Sequence, residues 1–512
     1  MIRTPWSQPC GAVAIALMVS VFATAAPPAF DVTALTAGPL LESSTGFGDL
    51  MATDGTRLAV AVPYSAVGHE SYIIIYERDS GRRWVESSRA VAPPNTTWQS
   101  ALAIDGDSLA VTVRSNEVLL YRFNGSNWVS DGLLIADSGD WNENFGVTLA
   151  LDGDVLAVGA TYDAELASYA GSVYIFRRVA GSWLRETKLF APDGDINDQF
   201  GEALAIEGDR LVVGTPRFES WEGHYHEIGS VYSFIYDRSA RTWRFEQQLL
   251  PPDELDVDQA FGYALALEGN SLAISRPLAN DRLGSVEIYS RQTGAWVHHA
   301  HVAPGVDATA KDYYGRALDL SNDRLAVGAV DFNDRGGVYL YRRNSDQSWS
   351  EEDRLMSPAS QVVQFFGDEV HWADSGHLLV AAPMQDAVYA NDQAGVVHEF
   401  AESTSPALAL FSLDQAHVYD RFELDAALIE PGTKVIAFGS RQTGQTTVPE
   451  CPGQILSLRN PIRIGQSIAD TFGNARIAFR MPGLQEGRFI YFQVVGTDCR
   501  VSNVRAVEVT RN

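Results

Sequence analysis

Residues 145–176 read FGVTLALDGDVLAVGATYDAELASYAGSVYIF, and this stretch contains the pattern that decides the fold. Phe145-Gly146 is followed by a short apolar run, a turn at Asp152-Gly153 and a second run of small apolar residues. Asp-Gly between two apolar runs favours a two-residue β-hairpin, because glycine adopts positive φ without steric cost. A third apolar run begins at Gly171-Ser172. The segment therefore predicts three short antiparallel strands.

The same pattern recurs along the chain. Seven units can be aligned on a leading aromatic residue, and in six of them a tryptophan opens a fourth apolar run after the third. Four short strands per unit, with aromatic markers at fixed offsets, indicate the blades of a β-propeller. The units begin at Phe47-Gly48, Trp98-Gln99, Phe145-Gly146, Phe200-Gly201, Phe261-Gly262, Tyr314-Gly315 and Phe366-Gly367.

The two ends of the repeat region are complementary. The last unit, Phe366 to Phe400, has three strands and lacks a fourth, whereas Phe30–Ala37 reads as a fourth strand with no blade before it. Pairing these ends would remove an open sheet edge that otherwise invites aggregation. The predicted fold is therefore all-β: a seven-bladed β-propeller of four-stranded blades, closed by the N-terminal strand.

The Phe-Gly start, the Val-Gly-Ala second strand and the Gly-Ser-Val-Tyr third strand resemble FG-GAP repeats, the units of the integrin α-subunit N-terminal propeller and of secreted bacterial proteins. The resemblance implies a binding or adhesion role. Many integrin-type repeats hold Ca²⁺ in an extended loop between the first two strands. Here those loops are short turns such as Asp152-Gly153-Asp154, which cannot supply six to eight oxygen ligands, so these calcium sites are not expected.

Sequence outside the repeats predicts two further segments. Residues 1–25 have the apolar run and small-residue cleavage site of a signal peptide, which predicts a secreted, extracellular or periplasmic protein. Nearly all of its positive charge is arginine, which is typical of a bacterial source. With the propeller over 26–402, residues 403–512 read as a small β-sandwich. Two cysteines remain after cleavage, Cys451 and Cys499, and an even pair in an exported protein predicts a disulfide.

The net charge and the sequence motifs limit the classes of function that the chain can have. A formal net charge of −27 argues against nucleic acid as a partner, because that partner requires a basic face. No later stretch is long and apolar enough for a transmembrane helix, and the common catalytic motifs are absent from the sequence. The prediction is a non-catalytic protein that binds an extracellular protein or glycan. The alternative is a secreted hydrolase or lyase at the channel mouth, which predicts inward carboxylates or a His/Asp pair there.

Propeller topology sorts the loops onto two faces. The turns between strands 1–2 and 3–4 lie on one side, here called the turn face, and the remaining, more variable loops lie on the loop face. Binding residues tend to lie on variable loops. The ligand-binding candidates belong to the long loop of blade 4: Trp221, His224, Tyr225 and His226. The only cofactor candidate is Ca²⁺, at Asp193, Asp195 and Asp198 or at Asp253, Asp256 and Asp258.

A histidine group marks the fourth strand of blade 5. Strict alternation along a strand predicts that His299 and His301 share one face and that His298 lies on the other. Two ligands are too few for a zinc site, which needs three or four. The prediction is a set of exposed strand histidines.

Overall fold

The protein is described by a computed structural model. In the repeat region it describes residues 30–35, 47–62, 71–80, 82–93, 96, 98–114, 117–136, 143–217, 228–252, 260–305, 313–330, 336–357, 365–384 and 395–402. Further along the chain it describes the strands that lie between 409 and 510. Residues 1–25, Cys451 and Cys499 lie outside the described residues, so the signal peptide and the disulfide stay predictions.

Seven four-stranded antiparallel sheets form the blades. Blades 1 to 3 contain β2 (Met51–Thr53), β3 (Arg57–Val62), β4 (Tyr72–Arg78) and β5 (Trp84–Val91); β6 (Leu102–Asp105), β7 (Ser108–Arg114), β8 (Glu117–Phe123) and β9 (Trp128–Ile135); and β10 (Phe145–Asp152), β11 (Val155–Ala160), β12 (Ser172–Val179) and β13 (Ser182–Leu189). Blades 4 and 5 contain β14 (Ala203–Glu207), β15 (Arg210–Thr215), β16 (Ser230–Asp237) and β17 (Thr242–Leu249); and β18 (Leu265–Glu268), β19 (Ser271–Arg276), the short helix α1 (Ala279–Arg282), β20 (Ser285–Gln292) and β21 (Ala295–Val302). Blade 6 contains β22 (Tyr314–Ser321), β23 (Arg324–Ala329), β24 (Gly337–Arg343) and β25 (Trp349–Met356), and blade 7 contains β26 (Val370–Asp374), β27 (His377–Ala382), β28 (Val396–Glu402) and β1 (Phe30–Leu35).

The blades form a closed ring. The first strand of each blade lies beside the first strands of both neighbours, and β26 of blade 7 lies beside β2 of blade 1. The seven first strands therefore surround the central axis, and the tryptophan-bearing fourth strands lie outermost. The seven-bladed propeller predicted from the repeats is confirmed.

The N-terminal strand closes the ring as predicted. β1 pairs antiparallel with β28 in an unbroken register from Phe30 opposite Glu402 to Leu35 opposite Val397. Blade 7 also contacts blade 1 through a side chain: Trp84 Nε1 on β5 donates to the Glu399 carboxylate on β28 at 3.0 Å. Blade 7 is thus built from both ends of the repeat region.

The leading aromatic of each unit is the contact between neighbouring blades. Phe261 is completely buried, and its N–H donates to the Ile228 carbonyl of the preceding blade at 3.1 Å. Its backbone also bridges to Gly229, the residue that precedes the third strand of that blade. Phe200 and Phe366 form the same bridge to Gly171 and Gly336. The aromatic and the glycine of the repeat therefore meet at the junctions of blades 3 and 4, blades 4 and 5, and blades 6 and 7.

A β-bulge interrupts the pairing of the third and fourth strands in blades 1 to 6. In blade 4 the bulged residue is Glu246, which forms a bidentate ion pair with Arg291 of blade 5. A bulge inserts one unpaired residue and shifts the alternation of the strand beyond it. Side-chain alternation read from the sequence across this bulge therefore assigns the residues beyond it to the wrong face of the sheet.

The described residues beyond 408 also form β-strands. A five-stranded sheet has the order β30-β38-β37-β32-β35, a three-stranded sheet has the order β29-β31-β36, and β33 pairs with β34. Among the described residues, no helix has the length and apolar character that crossing a bilayer requires. The strands are β29 (Ala409–Phe411), β30 (Ala416–His417), β31 (Phe422–Ala427), β32 (Lys434–Ser440), β33 (Thr443–Thr447), β34 (Ile455–Leu458), β35 (Ile462–Ile468), β36 (Ala475–Phe479), β37 (Phe489–Gly496) and β38 (Arg505–Thr510).

Candidate functional site

The turn face uses its carboxylates to join the blades. Asp54 accepts a hydrogen bond from the N–H of Gly106 in the next blade at 3.1 Å, and Asp105 accepts one from Gly153 at 2.6 Å. The same contact links Glu207 to Gly269 at 2.9 Å. Because these acidic side chains satisfy backbone donors of the neighbouring turn, they have a structural role. The search for a site therefore moves to the loop face and the channel.

The predicted ligand contacts of blade 4 cannot be placed. Trp221, His224, Tyr225 and His226 lie outside the described residues. The same holds for the second candidate cation group, Asp253, Asp256 and Asp258. Both remain predictions.

The first candidate cation group lies in the connection between blades 3 and 4. Asp193 accepts hydrogen bonds from the Tyr232 hydroxyl at 2.8 Å and from Gln248 Nε2 at 3.0 Å. Asp198 is buried and accepts the N–H of Asp195 at 2.7 Å. The carboxylates thus bind protein donors in different directions. In the described part of the chain, no group of three His, Cys, Asp or Glu side chains is arranged to hold a metal ion.

The first, innermost strand departs from the repeat in two adjacent blades. The residue five positions after the leading aromatic lies on the first strand of every blade. It is alanine in blades 1 to 5, Asp319 in blade 6 and His371 in blade 7. The five alanines are Ala52, Ala103, Ala150, Ala205 and Ala266.

Asp319 and His371 belong to a connected set of side chains. Asp319 accepts the N–H of Trp372, on the neighbouring blade, at 2.6 Å. Glu369, two residues before His371, accepts the N–H of Met51 at 2.9 Å, and its Oε2 lies 3.7 Å from the His371 Nε2. These carboxylates bridge blade 6 to blade 7 and blade 7 to blade 1.

Charged residues also occupy the start of the first strands, nearer the loop face. Arg316 of blade 6 donates to Asp368 of blade 7 at 3.0 Å and also contacts the hydroxyl of Tyr263 of blade 5. Asp49 occupies the corresponding position in blade 1 and is exposed. We call the residues of blades 6, 7 and 1 the channel-mouth cluster: Asp49, Arg316, Asp319, Asp368, Glu369 and His371.

The surroundings of the channel-mouth cluster shift the pKa values of its side chains. Burial raises the pKa of Asp319 to about 6. Burial, with repulsion from Asp368 and Glu369, raises the pKa of Asp49 to about 6, although its side chain remains accessible from the mouth. Burial opposes the charged form of His371, but Glu369 and Asp319 outweigh it and leave its pKa raised. The cluster can therefore exchange protons close to neutral pH, as acid–base and ligand-binding sites do.

Replacing Asp319 with asparagine should reduce the pH dependence of stability. A carboxyl group whose pKa is higher in the folded state than in the unfolded chain stabilises the fold at acid pH and loses that contribution as pH rises through about 6. The full loss between pH values below 3.8 and above 6 is about 3 kcal/mol, and roughly half of it falls between pH 5 and pH 7.5. Asparagine keeps an acceptor for the Trp372 N–H, so Tm of Asp319→Asn should differ less between pH 5 and pH 7.5 than that of the wild type.

The control is Asp346→Asn. The Asp346 carboxylate lies on an exposed turn, where hydrogen bonds from Ser348 lower its pKa below the ordinary value. It is therefore ionised at both pH values, and its removal should leave the difference in Tm unchanged. An equal reduction in both variants would contradict the assignment to Asp319.

The blade 5 histidines do not lie on the faces that strict alternation along the strand predicts. His298 Nε2 and His301 Nδ1 both lie 2.7 Å from the Glu287 carboxylate, whereas His299 binds the Gln347 carbonyl at 2.8 Å. The expected pairing of His299 with His301 was wrong because His299 is the bulged residue of its strand. Glu287 is completely buried and also pairs with Arg276 at 2.9 Å.

Sequence reasoning did not single out Asp319 or His371. The signal was present in the repeat itself, because alignment of the seven units places alanine at this position in five blades and ionisable residues in two. A departure from an otherwise uniform position of the innermost strand indicates a constraint other than packing.

The family comparison agrees with the repeat. The FG-GAP repeat model matches residues 128–176 and 183–234. Each match runs from the outermost strand of one blade through the first three strands of the next, which is the unit that crosses a blade junction. No curated protein matches the chain.

Solved structures similar to the chain have low identity. Sqt1 of Saccharomyces cerevisiae is 11% identical with a TM-score of 0.39, and the match covers 74% of this chain and 100% of Sqt1. BamB from Moraxella catarrhalis is 13% identical with a TM-score of 0.37, covering 69% and 84%. A protein from Lactobacillus plantarum is 12% identical with a TM-score of 0.39, covering 62% and 86%. No functional statement follows from these likenesses.

Proposed function

Because the chain folds as a β-propeller of FG-GAP repeats, we propose that it is a secreted, non-catalytic binding or adhesion protein. It holds an extracellular protein or glycan on the loop face, and the channel-mouth cluster is the centre of that contact. The observation that carries the proposal is the pair Asp319 and His371, which occupies in two adjacent blades a first-strand position that is alanine in the other five.

The free-energy cost of burying ionisable side chains in blades 6 and 7 supports a role in binding. Asp319 and Glu369 have raised pKa values because burial disfavours their ionised forms. Alanine, which occupies the Asp319 position in five blades, has no such cost. Ionisable groups retained against stability are expected where a protein binds or transforms a ligand.

The two sides of the channel differ in character. Blades 6, 7 and 1 present carboxylates together with Arg316 and His371, which supply both hydrogen-bond acceptors and donors. The corresponding positions in blades 3 and 4 are Val147, Ala150 and Ala205, with one carboxyl group, Glu202, whose pKa is raised by burial. A mixture of hydrogen-bond donors and acceptors suits a sugar ring or the end of a long polar side chain.

Binding can be tested by replacing Asp319 and His371 with the alanine that the repeat has at this position in the other blades. The double variant Asp319→Ala, His371→Ala gives blades 6 and 7 the residue that the other five blades carry. We expect the wild type to bind members of an array of glycans and immobilised extracellular proteins, and the double variant to lose that binding while remaining folded. Its Tm should fall modestly, because the Trp372 N–H loses its acceptor. The control, Glu86→Ala with Arg89→Ala, removes an exposed ion pair on the outer strand of blade 1 and should bind normally.

Two results would contradict this proposal. Either the wild type binds nothing on the array, or the double variant binds as well as the wild type. In both cases the channel-mouth cluster is not the centre of a binding site.

A second candidate function is a secreted hydrolase or lyase acting at the channel mouth. The observation that favours it is the combination of a histidine with carboxyl groups whose pKa values are raised, two of them to about 6. Groups with pKa values near the working pH are suited to general acid–base catalysis. Release of new reducing ends from the array glycans, abolished in Asp319→Asn, would favour this function over binding alone.

A further inference from the structure

The strand 2–3 loop of blade 3 presents two tyrosines to solvent. Tyr162 and Tyr169 are 41% and 45% exposed, and their rings pack edge to face with centroids 5.3 Å apart. Neither occupies an aromatic position of the repeat, and the inter-blade contact here is made by Phe200. Exposed tyrosines outside the packing positions are available for contact with another molecule.

Backbone hydrogen bonds hold this loop against the connection to blade 4. The N–H of Asn197 donates to the Ser168 carbonyl at 2.9 Å, and the N–H of Gln199 donates to the Tyr169 carbonyl at 3.0 Å. At its other end the buried Asp163 accepts the Ser172 hydroxyl at 2.6 Å. A ligand that binds a loop already fixed in this way loses less conformational entropy on binding.

Two further exposed apolar side chains lie on the same pair of joined loops as the tyrosines. Leu166 is 51% exposed and lies against the backbone at Gly194, and Ile196 is 52% exposed on the same connection. Singly exposed apolar residues are common on protein surfaces, but four on two joined loops form a larger feature. We call Tyr162, Leu166, Tyr169 and Ile196 the tyrosine platform.

The surroundings of the platform are acidic. Its two loops, residues 161–171 and 191–199, contain no lysine or arginine. Glu165 is 65% exposed, and Asp195 is also exposed. The neighbouring Lys188 is only 12% exposed and pairs with Asp163 and Glu165. An apolar centre with an acidic rim is complementary to an apolar side chain flanked by cations.

We infer that the tyrosine platform is a docking surface for a protein that presents an apolar side chain flanked by lysine or arginine. The central tyrosines supply contact area at low entropic cost, and the acidic rim selects the basic flanks. A second copy of this chain is a poor partner, because the two acidic rims would meet. The platform acts independently of the channel-mouth cluster.

The test uses a phage library of random linear peptides as the probe. Selection on the wild-type protein should enrich sequences with Phe, Leu or Trp beside Lys or Arg. The best peptide, measured by fluorescence polarisation, should bind the variant Tyr162→Ala, Tyr169→Ala at least tenfold more weakly, which corresponds to about 1.4 kcal/mol. Leu166→Arg, which changes one exposed side chain and places a positive charge inside the acidic rim, should weaken binding of the same peptide and keeps the test valid if the double variant misfolds.

Matched variants distinguish this site from the proposed channel site. Tyr313→Ala removes a tyrosine that is 51% exposed beside the first strand of blade 6, and it should bind the peptide normally. Asp319→Ala, His371→Ala should also bind it normally. Enriched peptides without basic residues, equal affinity for the platform variants, concentration-dependent dimerisation through the platform, or loss of glycan binding in place of peptide binding would each overturn the inference.

Discussion

A chain that begins at residue 37, and so lacks β1, is expected to melt roughly 10 °C below the chain that begins at residue 26 and to self-associate. Removal of β1 takes away its ladder with β28 and the buried Leu35, together on the order of 5 kcal/mol. It also leaves β28 as an open edge, which can pair with another molecule. Differential scanning fluorimetry and size-exclusion chromatography measure the two effects.

Addition of the missing strand provides the control. A synthetic peptide of residues 28–37 should bind the truncated chain by strand addition and restore its Tm. The same peptide with Leu35→Asp should fail, because it places a charge at a buried position. Normal stability of the truncated chain without peptide would show that β1 does not close the ring.

The fold could be predicted because the repeat supplies the same evidence many times. A single run such as Leu211 to Thr215 is compatible with several structures, but its recurrence after a leading aromatic and a tight turn fixes the blade. The spacing of Phe30 from Phe47 then predicted the partner of β1. The face of His299 was mispredicted because a bulge depends on the pairing of two strands, which strict alternation within one strand does not represent.

The candidate sites were less predictable, for two physical reasons. Loops carry no repeat, so Tyr162 and Tyr169 could be recognised only once their rings and hydrogen bonds were placed. Asp319 and His371 lie within strands that read as ordinary repeat, and their proximity depends on how two blades pack. The predicted Asp193 and Asp198 are close in sequence, yet they bind donors in different directions.

Replacing Gly229 with alanine should destabilise the propeller strongly. A Cβ at this position would lie 2.1 Å from the Phe261 carbonyl oxygen of the next blade, and the residue has φ of +79°. Phe261 is completely buried in the blade junction, so its backbone cannot move without opening the ring at that point. The expected loss of stability is on the order of 4 kcal/mol or more, measured as a fall in Tm or in the urea midpoint.

Gly208→Ala separates the two causes of that loss, which are the strain of a positive φ and the steric contact with Phe261. Gly208 also has positive φ, at +59°, but a Cβ there meets no atom within 4 Å. Its variant should lose only the backbone contribution, about 1 kcal/mol. A large difference between the two variants would assign the rest to the contact between Gly229 and Phe261, whereas equal losses would mean that neighbouring blades can separate enough to admit a methyl group. The glycine that precedes the third strand is therefore predicted to set how closely successive blades of the ring approach.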